Sequence, residues 1–104
     1  MYIVANRIHL AKEWREAFET RFRKRASQLE KQPGFVRMEV LKPDQPDAPY
    51  QVLTTWEDKA AFEAWIGSED FRVAHADPLP EEAFVDASKL ERFEALIAVE
   101  KAFG

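Results

Sequence analysis

The sequence predicts an α+β fold in which an antiparallel sheet carries its helices on one face, in the order β-α-β-β-α-β. Three observations predict it. Apolar residues change from alternate positions to three- and four-residue steps after Leu10, and change back at Phe35. Two runs with strand composition, 35–42 and 50–56, flank Pro43-Asp-Gln-Pro-Asp-Ala-Pro49, a segment too rich in proline to be a strand itself. A second helical stretch then runs from Trp56 to His75 with a cap at each of two starts.

Taken in order, Tyr2 to Leu10 has strand composition, with Tyr2, Val4, Asn6, Ile8 and Leu10 on one face and Ile3, Ala5, Arg7 and His9 on the other. Asn6 breaks an otherwise apolar face, and a buried amide must find partners or cost a few kcal/mol. From Ala11 to about Lys31, Leu10, Trp14, Ala17, Phe18, Phe22, Ala26 and Leu29 trace one helical stripe, which Pro33-Gly34 stops. Strands at Phe35–Lys42 and Tyr50–Trp56 form a hairpin. Asp58 caps a helix ending at Gly67, a place that favours positive φ, and Ser68 caps a short second one carrying Phe71 and His75 on one face. Residues 76–92 read as a long loop, a length often used for lids and binding loops. Phe93 to Phe103 reads as the last strand, from Phe93, Ala95, Ile97 and Val99 against Glu94 and Glu100.

This order is the ferredoxin-like pattern, here in one domain spanning 1–104. The sheet's second face, read as Ile3, Ala5, Val36, Met38, Val40 and Leu53, has nothing in the chain to cover it. A homodimer packed sheet to sheet is the simplest solution.

Composition narrows function by exclusion. The chain is 46% hydrophobic and 33% charged, so it reads as globular. With no cysteine there is no disulfide, thiolate zinc site, iron–sulfur ligation or cysteine nucleophile. Two histidines make a dedicated zinc site a poor reading. A net charge of −4 argues against nucleic acid, and the basic run Arg21 to Arg25 reads as a solvated helix face. No 18-residue apolar stretch or signal sequence is present, so a cytoplasmic protein without a membrane span is expected. There is no phosphate loop, HExxH or EF-hand, and a Ser-His-Asp set would have to be assembled from Ser27, Ser68 or Ser88 without an elbow motif.

His75 alone is a weak signal, since a histidine near a helix end is stabilised there without any ligand. Trp65 alone reads as core beside Phe62 and Ile66. Together they say more. The strand face holding Asn6 is the face the helices cover, so an amide, several aromatics and an imidazole border one cleft, which suits a flat aromatic ligand.

Ala5-Asn6-Arg7, Arg21-Phe22, Pro33-Gly34-Phe35 and Trp65-x-x-Ser68-x-x-Phe71-x-x-Ala74-His75 resemble the antibiotic biosynthesis monooxygenase superfamily of dimeric α/β barrels, and within it the IsdG-type haem-degrading monooxygenases. The resemblance implies haem as substrate and cofactor together, with O2 and an external reductant. It makes His75 the axial ligand of the haem iron, Asn6 a distal hydrogen-bond donor and Trp65 the bulk that buckles the porphyrin. Phe22 and Phe71 would line the haem pocket. The same fold leaves two alternatives: a cofactor-free monooxygenase acting on quinols or phenols, and a dimer that binds haem without turnover.

Overall fold

The computed structural model describes residues 1–102, apart from the side chains of residues 25–28. The side chains of Arg25, Ala26 and Ser27, and Phe103, lie outside the described residues. Strand β1 (Tyr2–Ile8) leads through a 3-10 turn into helix α1 (Arg15–Leu29), followed by β2 (Phe35–Leu41), β3 (Tyr50–Trp56), α2 (Lys59–Ile66), α3 (Glu69–Ala74) and β4 (Lys89–Glu94). The strands form one sheet of order β2-β3-β1-β4, antiparallel at every junction. The ferredoxin-like α+β expectation is therefore met.

The turn before β2 fixes how the sheet meets α2. Gly34 has φ +78, and a Cβ there would lie 2.4 Å from the Cβ of Ala61, so both conformation and space demand glycine. Its carbonyl accepts from the Glu57 amide at 2.7 Å, closing β2 against the start of α2. Asp58 caps α2 by accepting from the Ala61 amide at 2.8 Å. Gly67, expected at positive φ, instead has φ −91. Ser68 makes that unnecessary. Its hydroxyl donates to the Trp65 carbonyl at 2.6 Å and accepts from the Phe71 amide at 3.1 Å, stitching the end of α2 to the start of α3.

A register shift between Phe35 and Arg37 changes which face β2 offers. Phe35 pairs with Trp56, yet Met38 and Val40 pair with Thr54 and Val52. Met38 and Val40 therefore face the helices, not the open side where simple alternation puts them. The open face keeps Ile3, Ala5, Val36 and Leu53, and gains Leu41 and Phe93.

The last strand also differs from expectation. It lies at Lys89–Glu94 rather than Phe93–Phe103, because it pairs antiparallel with β1 and β1 runs out: Tyr2 faces Glu94, and the Ala95 amide makes a final bond to the Met1 carbonyl at 2.9 Å. Residues 95–102 have no regular structure, and Leu96, Ile97 and Val99 are exposed. Part of the segment expected as a 76–92 loop is thus a 3-10 turn and a strand. The rest is pinned. The Ala11 amide donates to the Ala83 carbonyl and the Val85 amide to the His9 carbonyl, both at 2.8 Å. Ala83 is fully buried, and His9 Nδ1 lies 3.4 Å from an Asp86 oxygen. These ties argue against reading the segment as a lid, and give His9 a structural role away from the cleft.

The helix-covered face holds two core clusters. One joins Ile8, Leu10, Phe18, Tyr50 and Val52, with Phe22, Met38, Leu79 and Phe84 against it. The other joins Val4, Trp56, Phe62 and Trp65, with Phe35, Leu29 and Phe71 against it. Among the described residues no helix is long and apolar enough to cross a membrane.

Candidate active site

Between the helices and the sheet lies a cavity of about 420 Å³, within the usual range for small-molecule sites. Its floor is Val4 and Asn6 of β1, Val52 and Thr54 of β3, and Leu90 of β4; its walls include Phe22 of α1 and Trp65, Phe71 and His75. Asn6, Phe22, Trp65, Phe71 and His75, singled out from the sequence, all line this one cavity.

Each side chain is held differently. Trp65 is 7% exposed. It stacks on Trp56 with ring centroids 6.4 Å apart and meets the ring of Phe71 edge-on at 5.4 Å. Behind it, Trp56 is fully buried and its indole N–H donates to Thr54 at 3.0 Å. The wall is rigid because a filled core backs it. Phe71 in turn stacks on His75 at 4.1 Å, and the series ends in an exposed imidazole.

The hydrogen bond of that imidazole decides its chemistry. His75 Nδ1 lies 2.8 Å from the Phe71 carbonyl, which can only accept, so Nδ1 carries the proton of that bond and Nε2 is the nitrogen left to meet a ligand. A neutral imidazole with one nitrogen tied to a carbonyl and the other free is the usual form of a metal-ligating histidine. Asn6 lies on the same cavity. Its carboxamide has no hydrogen-bond partner among the described residues, so it is available to a ligand. An apolar slot bordered by an imidazole nitrogen and one amide has the donor set that haem can use, since haem iron takes imidazole as a ligand.

Two arginines on the neighbouring elements are engaged. Arg92 of β4 donates to the Tyr2 hydroxyl at 2.6 Å, lies over the Phe62 ring at 5.0 Å and sits 3.3 Å from Glu63. Arg21 of α1 donates to the Asp77 carbonyl just beyond His75. At the other end of the same face, the Tyr50 hydroxyl donates to Glu19 at 2.5 Å. Burial, then the Glu19 carboxylate, pushes the Tyr50 phenol up to about 12, while the Tyr50 hydrogen bond leads in lowering Glu19.

The antibiotic biosynthesis monooxygenase family matches residues 1–77. The chain belongs to that family. A mycobilin-producing haem oxygenase of Mycobacterium tuberculosis is 37% identical over 81 residues, covering 78% of this chain and 75% of its own. A staphylobilin-producing haem oxygenase of Staphylococcus haemolyticus is 38% identical over 77 residues, covering 72% and 73%. Among solved structures, the M. tuberculosis haem degrader MhuD with two haems in its active site superimposes with a TM-score of 0.80 at 27% identity, covering 96% of this chain and all of that one. The resemblance to IsdG-type haem degraders thus holds in sequence and in structure. The fold is not confined to haem degraders: the cofactor-independent oxygenase SnoaB of Streptomyces nogalater shares it at a TM-score of 0.76 and 22% identity, covering 96% of this chain and 97% of its own.

Sequence reasoning misses Thr54, Ser88 and Leu90 as cavity residues. Leu90 is hidden by the misplaced last strand. Thr54 is open to discovery, because it stands two residues from Trp56 and so on the same strand face.

Proposed function

We propose that the protein is a haem-degrading monooxygenase: it binds haem as substrate and cofactor together, opens the porphyrin with O2 and electrons from an external reductant, and releases iron. The observation that carries this reading is the His75 Nδ1 bond to the Phe71 carbonyl, which leaves Nε2 free at an apolar cleft that also holds Asn6. Relatives named haem oxygenases support it.

Haem supplies the redox-active iron and the ring to be oxidised. The chain's own residues do the rest. His75 Nε2 would hold the iron from the α3 side. Asn6 would donate its amide proton on the distal side without supplying a strong acid. Trp65, buried and backed by Trp56, would hold its wall of the cleft against the bound ring, a positioning contribution. Phe22, Phe71 and Leu90 would exclude water.

A homodimer packed through the open sheet face is part of the same proposal. Phe93 and Leu41 are 50% and 41% exposed there, beside Ile3 and Leu53, and a second copy is the simplest way to take that surface from water. Light scattering should give twice the chain mass, and Leu53→Glu should lower it towards the monomer; a monomeric wild type would remove this part.

The test of function is haemin titration of the wild type followed by ascorbate in air. A saturable Soret band that decays to a bilin-like spectrum, with iron trapped by a chelator, is expected. A bound band that survives the reductant would make the protein a haem carrier. No band would overturn the haem reading and favour cofactor-free oxygenation of a phenol or quinol.

A further inference from the structure

We infer that Arg21 is a positioning residue for His75, acting from α1 through the backbone just beyond the imidazole. The inference rests on the haem reading for its consequence, but its structural content does not need haem.

Helix α3 is six residues long and has no buried residue of its own. A helix of that length does not hold itself together, so its placement must come from tertiary contacts. One side is supplied by Phe71 and Ala74, which rest on the Trp56 cluster. The other is supplied by two polar ties to α1 and the turn that ends it. At the start of α3, Gln32 Nε2 donates to Asp70 at 2.9 Å. Beyond its end, the Arg21 guanidinium donates to the Asp77 carbonyl and lies 3.5 Å from the Asp77 carboxylate.

The two parts of the Arg21 tie differ in strength. The Asp77 carboxylate is 92% exposed, so its ion pair is solvated and contributes little. The bond to the carbonyl is charge-assisted and fixes a main-chain atom two residues past His75. Arg21 also precedes Phe22, which lines the cleft opposite. One turn of α1 therefore forms a wall of the cavity and sets how far away the ligand-bearing segment stands. Without the guanidinium, the hydrogen bonds of residues 75–77 among the described residues run back to α3: the His75 amide to the Phe71 carbonyl at 3.1 Å, His75 Nδ1 to the same carbonyl at 2.8 Å and the Ala76 amide to the Val73 carbonyl at 3.3 Å. Those bonds move with the segment and do not locate it against α1.

The test compares Arg21→Met, Arg21→Lys and Asp77→Asn with the wild type by two readouts. The first is amide hydrogen exchange of the haem-free protein at His75 and Ala76. Arg21→Met should exchange faster there while sheet amides keep their protection. The second is haemin affinity and the Soret position, which report iron ligation. Arg21→Met should weaken binding about tenfold, the lower end for loss of a group that orients a metal ligand, and Arg21→Lys should recover part of it. Asp77→Asn keeps the carbonyl and should stay near wild type; a loss as large as that of Arg21→Met would overturn the assignment to the carbonyl. Wild-type exchange and affinity in Arg21→Met would overturn the positioning role. If that variant does not fold, Arg21→Gln replaces it under the same two readouts. A wild type that binds no haemin would count against the haem reading, and the exchange readout would still decide the role of Arg21.

Discussion

The two ends of the helix-covered face are built from similar residues and finished differently. At the Tyr50 end, Ile8, Leu10, Phe18 and Val52 pack around a fully buried tyrosine with Leu79 and Phe84 of the pinned segment against them, and the hollow beside it is lined by charged Glu19, Arg23 and Lys42. The polar groups there are paired with one another: the Tyr50 hydroxyl donates to Glu19, which also meets Arg23 and Lys42. At the Trp56 end, the aromatics form a graded series from buried Trp56 through Trp65 and Phe71 to exposed His75. That series ends on an imidazole whose Nε2 has no hydrogen-bond partner among the described residues. Aromatic packing alone does not mark a site; the unpaired polar atom at the end of it does.

The sharpest way to break this comparison is Trp56→Ala. Loss of a fully buried tryptophan should cost about 3–5 kcal/mol, measured by urea unfolding, and should abolish the cleft with the fold. A cost near 1 kcal/mol would mean that the Trp56 end is already loose and its cleft not preformed.

Tyr50→Phe tests the Tyr50 end. It should cost about 1.5–3 kcal/mol, the range for a hydrogen bond to a charged group, and leave haemin binding unchanged. The pH dependence has a defined sign. The Tyr50 phenol is raised in the folded state to about 12, so its contribution is full below the ordinary tyrosine value of about 10 and is lost as pH rises through the folded value. Glu19 is lowered, so its contribution is present above the ordinary carboxyl range and lost as pH falls through the folded value. The difference between wild type and variant should be largest in the plateau between and shrink at both extremes.

Trp65→Phe should have the smallest effect on stability, about 1 kcal/mol, because Trp56 and Phe71 still pack the position. Haemin should still bind, while its loss on adding ascorbate in air slows. An unchanged rate would remove the positioning role of Trp65.

Much of this architecture is legible in the amino-acid order. The switch in apolar spacing locates α1, the caps Asp58 and Ser68 locate both later helices, and alternation puts Asn6 under them. What misleads is local pattern without partners. Met38 and Val40 lie on the face opposite to the one alternation gives, because the shift after Phe35 costs β2 one residue of register. The final strand is set by where β1 ends, not by its own composition, so the apolar run after Phe93 looks more strand-like than the charged Lys89–Glu94 that forms it. The tie from Arg21 to Asp77 has no sequence signal, since it joins a helix residue to a backbone carbonyl 56 positions away.

The most direct test of the account is a haemin titration of His75→Ala with and without added imidazole. The variant should lose or shift the Soret band of the wild type, and imidazole occupying the vacated position should restore it. A variant that binds haemin with the wild-type band and affinity would show that the iron is held elsewhere and contradict the role given to His75.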